Sequence, residues 1–327
     1  MKLPQLRLIA TDFCDSKCIY CRPSGEAVCK CENNNLSLTT AIEISRLYKE
    51  MGGKDIKITG GDPVYWKNLV DCVDVLKNEL FIEKVEVITR SVKIKKVIDV
   101  LISKGLDSIN FSLDTLNKEK YNMITGKNDL LELLEVIKYC SSKLHCKINT
   151  VVMKGINDDE IEDLINFCND NGIEELKLLD IITDLHKSVN SNSDRLDKAC
   201  GKKLENLYTN LDFENKICFD SEPVTIFQGG LGHPLKVYKI GDLDVIMKDA
   251  SNGAWYGECC NNCEYYPCHD ALMALRVLPN NNLQICLMNE RNLYKINNDE
   301  VEDRKQFSRC LKIYKNARFH RGENINE

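Results

Sequence analysis

No stretch of the chain has eighteen uninterrupted apolar residues, so no membrane-spanning helix and no membrane partner are expected. The opening Met-Lys-Leu-Pro-Gln-Leu-Arg lacks the apolar run and small-residue cleavage site of a secretory signal, which predicts a cytoplasmic protein. Basic excess is missing too. The 327 residues carry 44 Lys and Arg against 50 Asp and Glu, a net charge of −6, whereas broad nucleic-acid binding relies on a cationic surface that displaces counterions. No nucleic-acid partner is therefore expected. Hydrophobic residues at 43% and charged residues at 29% describe a globular chain, long enough to bury a full core in one large domain or two ordinary ones.

Cysteine is what the chain has in abundance. Seventeen would suggest disulfides in a small secreted protein, but in a large cytosolic one they point to metal ligation plus ordinary buried thiols. Three of them form Cys14-Asp-Ser-Lys-Cys18-Ile-Tyr-Cys21, a C-x3-C-x2-C spacing directly after an apolar run. A cubane iron–sulfur cluster takes a thiolate on each iron, so three close thiolates leave one iron open for a small molecule. The competing reading is a partial zinc site or three unrelated thiols, although closed zinc sites usually present C-x2-C pairs. Cys29 and Cys31 lie further along, and their one-residue gap suits loop thiols better than a shared cluster.

The Cys14/Cys18/Cys21 motif, with aromatic Tyr20 before its third cysteine, resembles that of the radical S-adenosylmethionine (SAM) enzymes. The resemblance implies a [4Fe-4S] cluster whose open iron chelates the amino and carboxylate groups of SAM. It further implies reductive cleavage to a 5′-deoxyadenosyl radical, with the electron drawn from an external donor such as flavodoxin or ferredoxin. Thr59-Gly60-Gly61-Asp62-Pro63 reads alone as a turn, in which glycines allow close backbone approach and proline fixes the bend. Beside the cysteine motif it resembles the segment that binds the SAM amino group in that family, with Asp62 in place of Glu.

Periodicity predicts a first strand over residues 5–11 and a helix capped by Ser37 or Thr39 and stopped by Gly52-Gly53. Further strands are expected at 55–59, 84–89, 107–112, 146–153 and 174–182. Helices are expected at about 66–79, 92–104, 128–142 and 157–171. Strands alternating with helices require parallel pairing and right-handed crossovers, so the fold class is α/β, either an open sheet or an incomplete barrel. The resemblance selects the partial six-unit (βα) barrel over residues 1–211, followed by a C-terminal cysteine-rich α+β extension over 212–327. A polar segment at 187–195 and a helix to Leu211 are expected before that extension, and β-hairpins over 216–250 and a helix at 299–318 within it.

Residues 105–116 and Lys147 to Glu160 narrow the resemblance to the GTP cyclase family that opens molybdenum cofactor biosynthesis, across roughly residues 5–182. Carried across by position, Tyr20, Gly61 and Ser112 match SAM contacts, and Lys147 matches a lysine that contacts GTP. Lys57 stands where that family has an arginine on GTP. Asn157 is expected to cap the helix after it.

At the C-terminus Cys260-x2-Cys263 is a chelating pair, and Cys268 and Cys286 can complete four thiolates, with Cys259 adjacent. Leu275 to Cys286 reads as a hairpin with Asn280 to Asn282 in its turn, resembling the segment that returns the last ligand to a second [4Fe-4S] cluster. A structural zinc site fits four thiolates as well. The departures concern substrate. The family's arginine triplet after its second C-terminal cysteine is replaced by Glu-Tyr-Tyr-Pro, with only Arg276 nearby, and Ile88 replaces a threonine that contacts GTP. A triphosphate needs several charge-assisted donors, so the expected substrate is a peptide or small metabolite. A nucleotide cyclase and a non-enzymatic iron–sulfur or zinc protein are the alternatives.

Overall fold

The computed structural model describes residues 3–21, 35–182, 201–202, 204–207, 209, 217, 219–228, 231–248, 253–268, 270–288 and 292–320. Six strands form where the sequence predicts them: β1 (Gln5–Ile9), β2 (Asp55–Thr59), β3 (Lys84–Thr89), β4 (Ser108–Ser112), β5 (His145–Val152) and β6 (Glu175–Asp180). Each pairs in parallel with the next, as helical crossovers demand. The crossovers include α1 (Leu38–Glu50), α2 (Leu69–Asp74), α3 (Ile98–Ser103), α4 (Lys118–Thr125), α5 (Leu130–Ser141) and α6 (Ile161–Asp170).

The strands alternate strictly, and that alternation builds both the core and the site. Leu6, Leu8, Ile56, Ile58, Val85, Val87, Ile109 and Phe111 are fully buried in one apolar cluster with residues of the helices. The intervening residues, among them Arg7, Lys57, Asn110, Lys147 and Lys177, line a cavity on the opposite face. A period of two thus sends apolar side chains outward to the helices and polar ones into the lumen.

The expected hairpins are present as β7 (Val224–Gln228), β8 (Leu231–Ile240) and β9 (Leu243–Lys248). They extend the barrel sheet, since β9 pairs in parallel with β6. On the other edge β11 (Ala274–Val277) runs parallel to β1 and turns back as β12 (Asn282–Gln284), which pairs with β13 (Leu293–Lys295). Among the described residues this makes one curled half-barrel sheet of twelve strands, with β13 and β7 at its edges. Asn281 in the β11–β12 turn takes φ 58°, the left-handed conformation that asparagine tolerates. A pair formed by β10 (Ala254–Tyr256) and β14 (Arg318–His320), with α7 (Glu300–Asn316) before β14, completes the C-terminal part. The expected domain boundary at 211/212, the 187–195 segment, most of the helix to Leu211, and Cys29 and Cys31 lie outside the described residues.

Ser37 caps α1 as expected, its side chain accepting from the Thr40 amide. Three expectations differ. The helix at 66–79 is α2 followed by a wider turn at Val75–Glu79, and that at 92–104 splits into a tight turn, Val92–Lys96, and α3. Asn157 caps nothing: it is fully buried, accepts from the Met153 amide and donates to the carbonyls of Asp114 and Val151. Its amide satisfies loop backbone groups that have no ladder partner. Helix α4 is additional, bounded by Asn117, which accepts from the Glu119 and Lys120 amides, and by Gly126 at φ 71°.

Candidate active site

The C-terminal end of β1 delivers the cysteine loop, and α4 holds it. Lys17 and Ile19 donate their amides to the carbonyls of Thr125 and Ile124 at 2.8 and 2.9 Å, and Lys127 pairs with Asp15 at 2.6 Å. Ile19 packs on Ile124, Met153 and Ile156. From the other side, the amides of Gly61 and Asp62 donate to the carbonyls of Thr11 and Phe13 at 2.7 and 2.8 Å. A Cβ on Gly61 would run into the Phe13 carbonyl, so the paired glycines let the β2 turn lie directly on the loop.

A cavity of about 560 Å³ occupies the half-barrel. Cys14, Cys18, Cys21, Tyr20, Gly60 and Gly61 line it, as do Asp62, Ser112, Lys57 and Lys147. Pro63 does not; it begins a short turn capped by Asp62. The Asp62 carboxylate is held by the fold itself. It accepts from the Thr89 hydroxyl and from the amides of Val64, Arg90 and Ser91, tying the β2 turn to the end of β3. Burial raises its pKa, an effect these donors only partly offset.

The two lysines are already paired. Lys57 Nζ lies 2.5 Å from Glu86 Oε1, and Lys147 Nζ lies 3.3 Å from Glu86 Oε2 and 2.7 Å from Glu175 Oε1. His145 Nε2 completes the chain at 3.1 Å from Glu175. Burial works to raise the Glu86 carboxyl, but both lysine charges outweigh it and hold the group far below the usual carboxylate range. Glu175 is held at about 2: burial opposes, while His145 and Lys147 prevail. Lys177 is the opposite case, with no hydrogen bond or ion pair among the described residues. Burial, followed by the neighbouring charges of Lys57, Arg7 and Lys248, pulls it down to about 7.

Sequence reasoning missed these acids and Lys177, together with Arg90 and Asp114 beside Tyr20. Glu86 and Lys177 each stand as a lone polar residue between two apolar ones in β3 and β6, whereas Glu175, Arg90 and Asp114 carry no such pattern.

The described cysteines fall into two groups. Cys72, Cys140, Cys146, Cys168 and Cys310 are buried core thiols, whereas Cys14, Cys18, Cys21, Cys259, Cys260, Cys263, Cys268 and Cys286 are half-buried in loops. Three of the loop sulfurs accept backbone amides: Cys14 from Ser16 at 3.4 Å, Cys268 from Ala271 at 3.4 Å and Cys286 from Met288 at 3.3 Å. Amide donors of this kind tune cluster thiolates. Cys260 and Cys263 share a turn through a 3.1 Å backbone bond, with the Cys259 and Cys260 sulfurs 3.8 Å apart. Burial lifts the Cys14 thiol to about 11, so binding iron there would displace a proton. Among the described residues no three His, Cys, Asp or Glu side chains gather closely enough for a single metal ion. A cubane spreads its thiolates over separate irons, and Cys14, Cys18 and Cys21 at the cavity are a donor set of that kind. His269, beside Cys268, lies outside the described residues.

The family model of the radical SAM superfamily matches residues 8–168. A protein of Archaeoglobus fulgidus named "Probable GTP 3',8-cyclase" is 36% identical over 166 residues, covering 50% of this chain and 54% of that protein. The GTP 3',8-cyclase of Petrotoga mobilis is 35% identical over 170 residues, covering 51% and 53%. The chain thus spans about half the length of the curated relatives it matches. Among solved structures, Streptococcus suis SuiB bound to precursor peptide SuiA superposes with a TM-score of 0.61 over 93% of this chain and 64% of that one, at 16% identity. That likeness concerns the fold. The matched residues hold the cysteine loop, the Gly60-Gly61 turn and Ser112 around one lumen, and residues 8–168 are a domain of the radical SAM superfamily.

Proposed function

We propose that this chain holds a [4Fe-4S] cluster on Cys14, Cys18 and Cys21, cleaves SAM, and abstracts hydrogen from a peptide or small metabolite that is not a nucleoside triphosphate. When bound, the cluster and SAM supply the 5′-deoxyadenosyl radical. The chain's own residues do the rest. Tyr20, Gly60, Gly61 and Ser112 line the space for SAM beside the cysteines. The apolar residues Leu231, Leu235 and Ile246 of the added strands wall the lumen against water. We assign Cys260, Cys263, Cys268 and Cys286 to a second cluster, carried by the region from about residue 212, and the electron to a flavodoxin- or ferredoxin-type donor. No described helix is long and apolar enough to cross a membrane.

One observation carries the substrate reading: Glu86 and Glu175 already neutralise Lys57 and Lys147, the two cations that position would place on a triphosphate. An anionic ligand would have to displace a buried carboxylate that has no exposure of its own. The second reading, a nucleotide cyclase, is favoured by the names of the curated relatives. The test incubates reduced enzyme with SAM and GTP deuterated on the ribose. We expect 5′-deoxyadenosine without deuterium; efficient deuterium transfer with a cyclised nucleotide establishes the second reading instead.

A further inference from the structure

Arg90 follows β3, and its side chain is only 7% exposed. Its Nη2 lies 2.6 Å from Asp114 Oδ2 and 2.8 Å from the Tyr20 hydroxyl, which itself donates to Asp114 Oδ2 at 2.8 Å. The rest of the arrangement is fixed from below. Asp114 Oδ1 accepts the Val151 amide at 2.9 Å, and the Arg90 amide donates to Asp62 at 2.9 Å. The ends of β3 and β4 therefore meet at Tyr20, which directly precedes Cys21. Arg90 Nη1 is buried with no hydrogen-bond partner among the described residues, and the side chain lines the same cavity as the three cysteines.

A buried ion pair contributes little net stability, because desolvating both charges offsets their attraction and an apolar pair of similar volume often serves as well. Stability alone gives no reason for this one. Its location does: a fixed cation in a low-dielectric site lowers the cost of adding an electron to a thiolate-ligated cluster, and a fixed anion raises it. Arg90 bonds the Tyr20 hydroxyl within the cysteine loop and lines the same cavity as Cys14, Cys18 and Cys21, which puts its charge beside those sulfurs.

We propose that Arg90 is a positioning residue which locks Tyr20 in the cysteine loop and fixes one positive charge beside the cluster, so that the Arg90–Asp114 pair sets how easily the cluster is reduced. The inference rests on the cluster assigned above to Cys14, Cys18 and Cys21. The test is a redox titration by electron paramagnetic resonance of the anaerobically prepared full chain, following the signal that changes on adding SAM. Arg90→Gln should make reduction about tenfold harder, a shift of about −59 mV for a one-electron couple. Asp114→Asn should shift it upward, and Arg90→Lys should keep the potential while weakening SAM binding, because an ammonium cannot reproduce the fork. Same-sign shifts, or none, in variants that retain their iron overturn the proposal. If Arg90→Gln alone loses iron, the double variant Arg90→Gln/Asp114→Asn decides: recovered iron with a potential between the two single shifts supports it, and failure to recover iron overturns it. Failure of the underlying cluster assignment looks different, as wild-type protein with no SAM-sensitive iron signal.

Discussion

Lys57 and Glu86 meet at 2.5 Å across neighbouring strands inside the half-barrel, and the lysine keeps only 10% of its side-chain surface while the glutamate keeps none. With Lys147 on the other carboxylate oxygen, Glu86 gives both lysines an internal counter-charge. Glu86→Gln takes the carboxylate from Lys57 and leaves Lys147 with Glu175 alone, and breaking a buried pair this way costs about 3–5 kcal/mol. We expect a lower urea midpoint, partly restored by inorganic pyrophosphate in the variant and not in the wild type. Equal pyrophosphate stabilisation of both proteins would remove Glu86 as the barrier.

Lys177 predicts a pH dependence of stability with a definite sign. Its folded value is near 7 against an ordinary 10.5, so below about 7 both states are protonated and the folded chain bears the full cost of the buried charge. Between 7 and 10.5 the folded state has given up a proton that the unfolded state keeps, so the cost fades as pH rises. Lys177→Met should therefore stabilise the protein most at about pH 6, with the gain shrinking by about pH 9.5. Anaerobic urea unfolding at the two pH values checks this. A gain independent of pH would mean that the lysine is not buried as a charge.

The fold was legible because its two signals agree. Alternation in Gln5–Ile9, Asp55–Thr59 and Lys84–Thr89 gives strands, and capped helical spacing such as Ser37 to Glu50 supplies the crossovers. The cysteine loop was legible from spacing alone. The polar half of the lumen was not: Glu86 sits in Lys-Val-Glu-Val-Ile-Thr, which reads equally as a solvent-facing strand. Only the curl of the sheet, extended by β9 beside β6, decides that its alternate residues face a shared lumen. Helix α4 was missed although Asn117 and Gly126 mark its ends, because its eight residues carry few apolar positions.

Gly61 joins the β2 turn to the cysteine loop, its amide 2.7 Å from the Thr11 carbonyl and its α-carbon against Phe13. An added methyl there must push backbone aside, which a loop pinned at both ends resists. Gly61→Ala should therefore lower SAM affinity at least tenfold, about 1.4 kcal/mol, with the iron content little changed. Equilibrium binding of SAM to the anaerobic protein measures it, and unchanged affinity would show that the loop yields freely.

The two groups of half-buried cysteines predict separable iron. Replacing Cys14, Cys18 and Cys21 with alanine removes the three thiolates of the N-terminal loop while leaving Cys260, Cys263, Cys268 and Cys286 in place. SAM cleavage should then be abolished, since an open iron exists only where a cubane lacks its fourth protein thiolate. About four irons per chain should remain, held by the C-terminal set, because one cubane binds one thiolate on each of its four irons. Replacing the four C-terminal cysteines instead should halve the iron and leave SAM-sensitive signal at the N-terminal loop. The deciding quantity is the iron left in the first variant: about four supports two clusters, zinc in place of iron assigns the C-terminal set to a structural site, and persistent 5′-deoxyadenosine formation would reject the N-terminal loop as the place where SAM is cleaved.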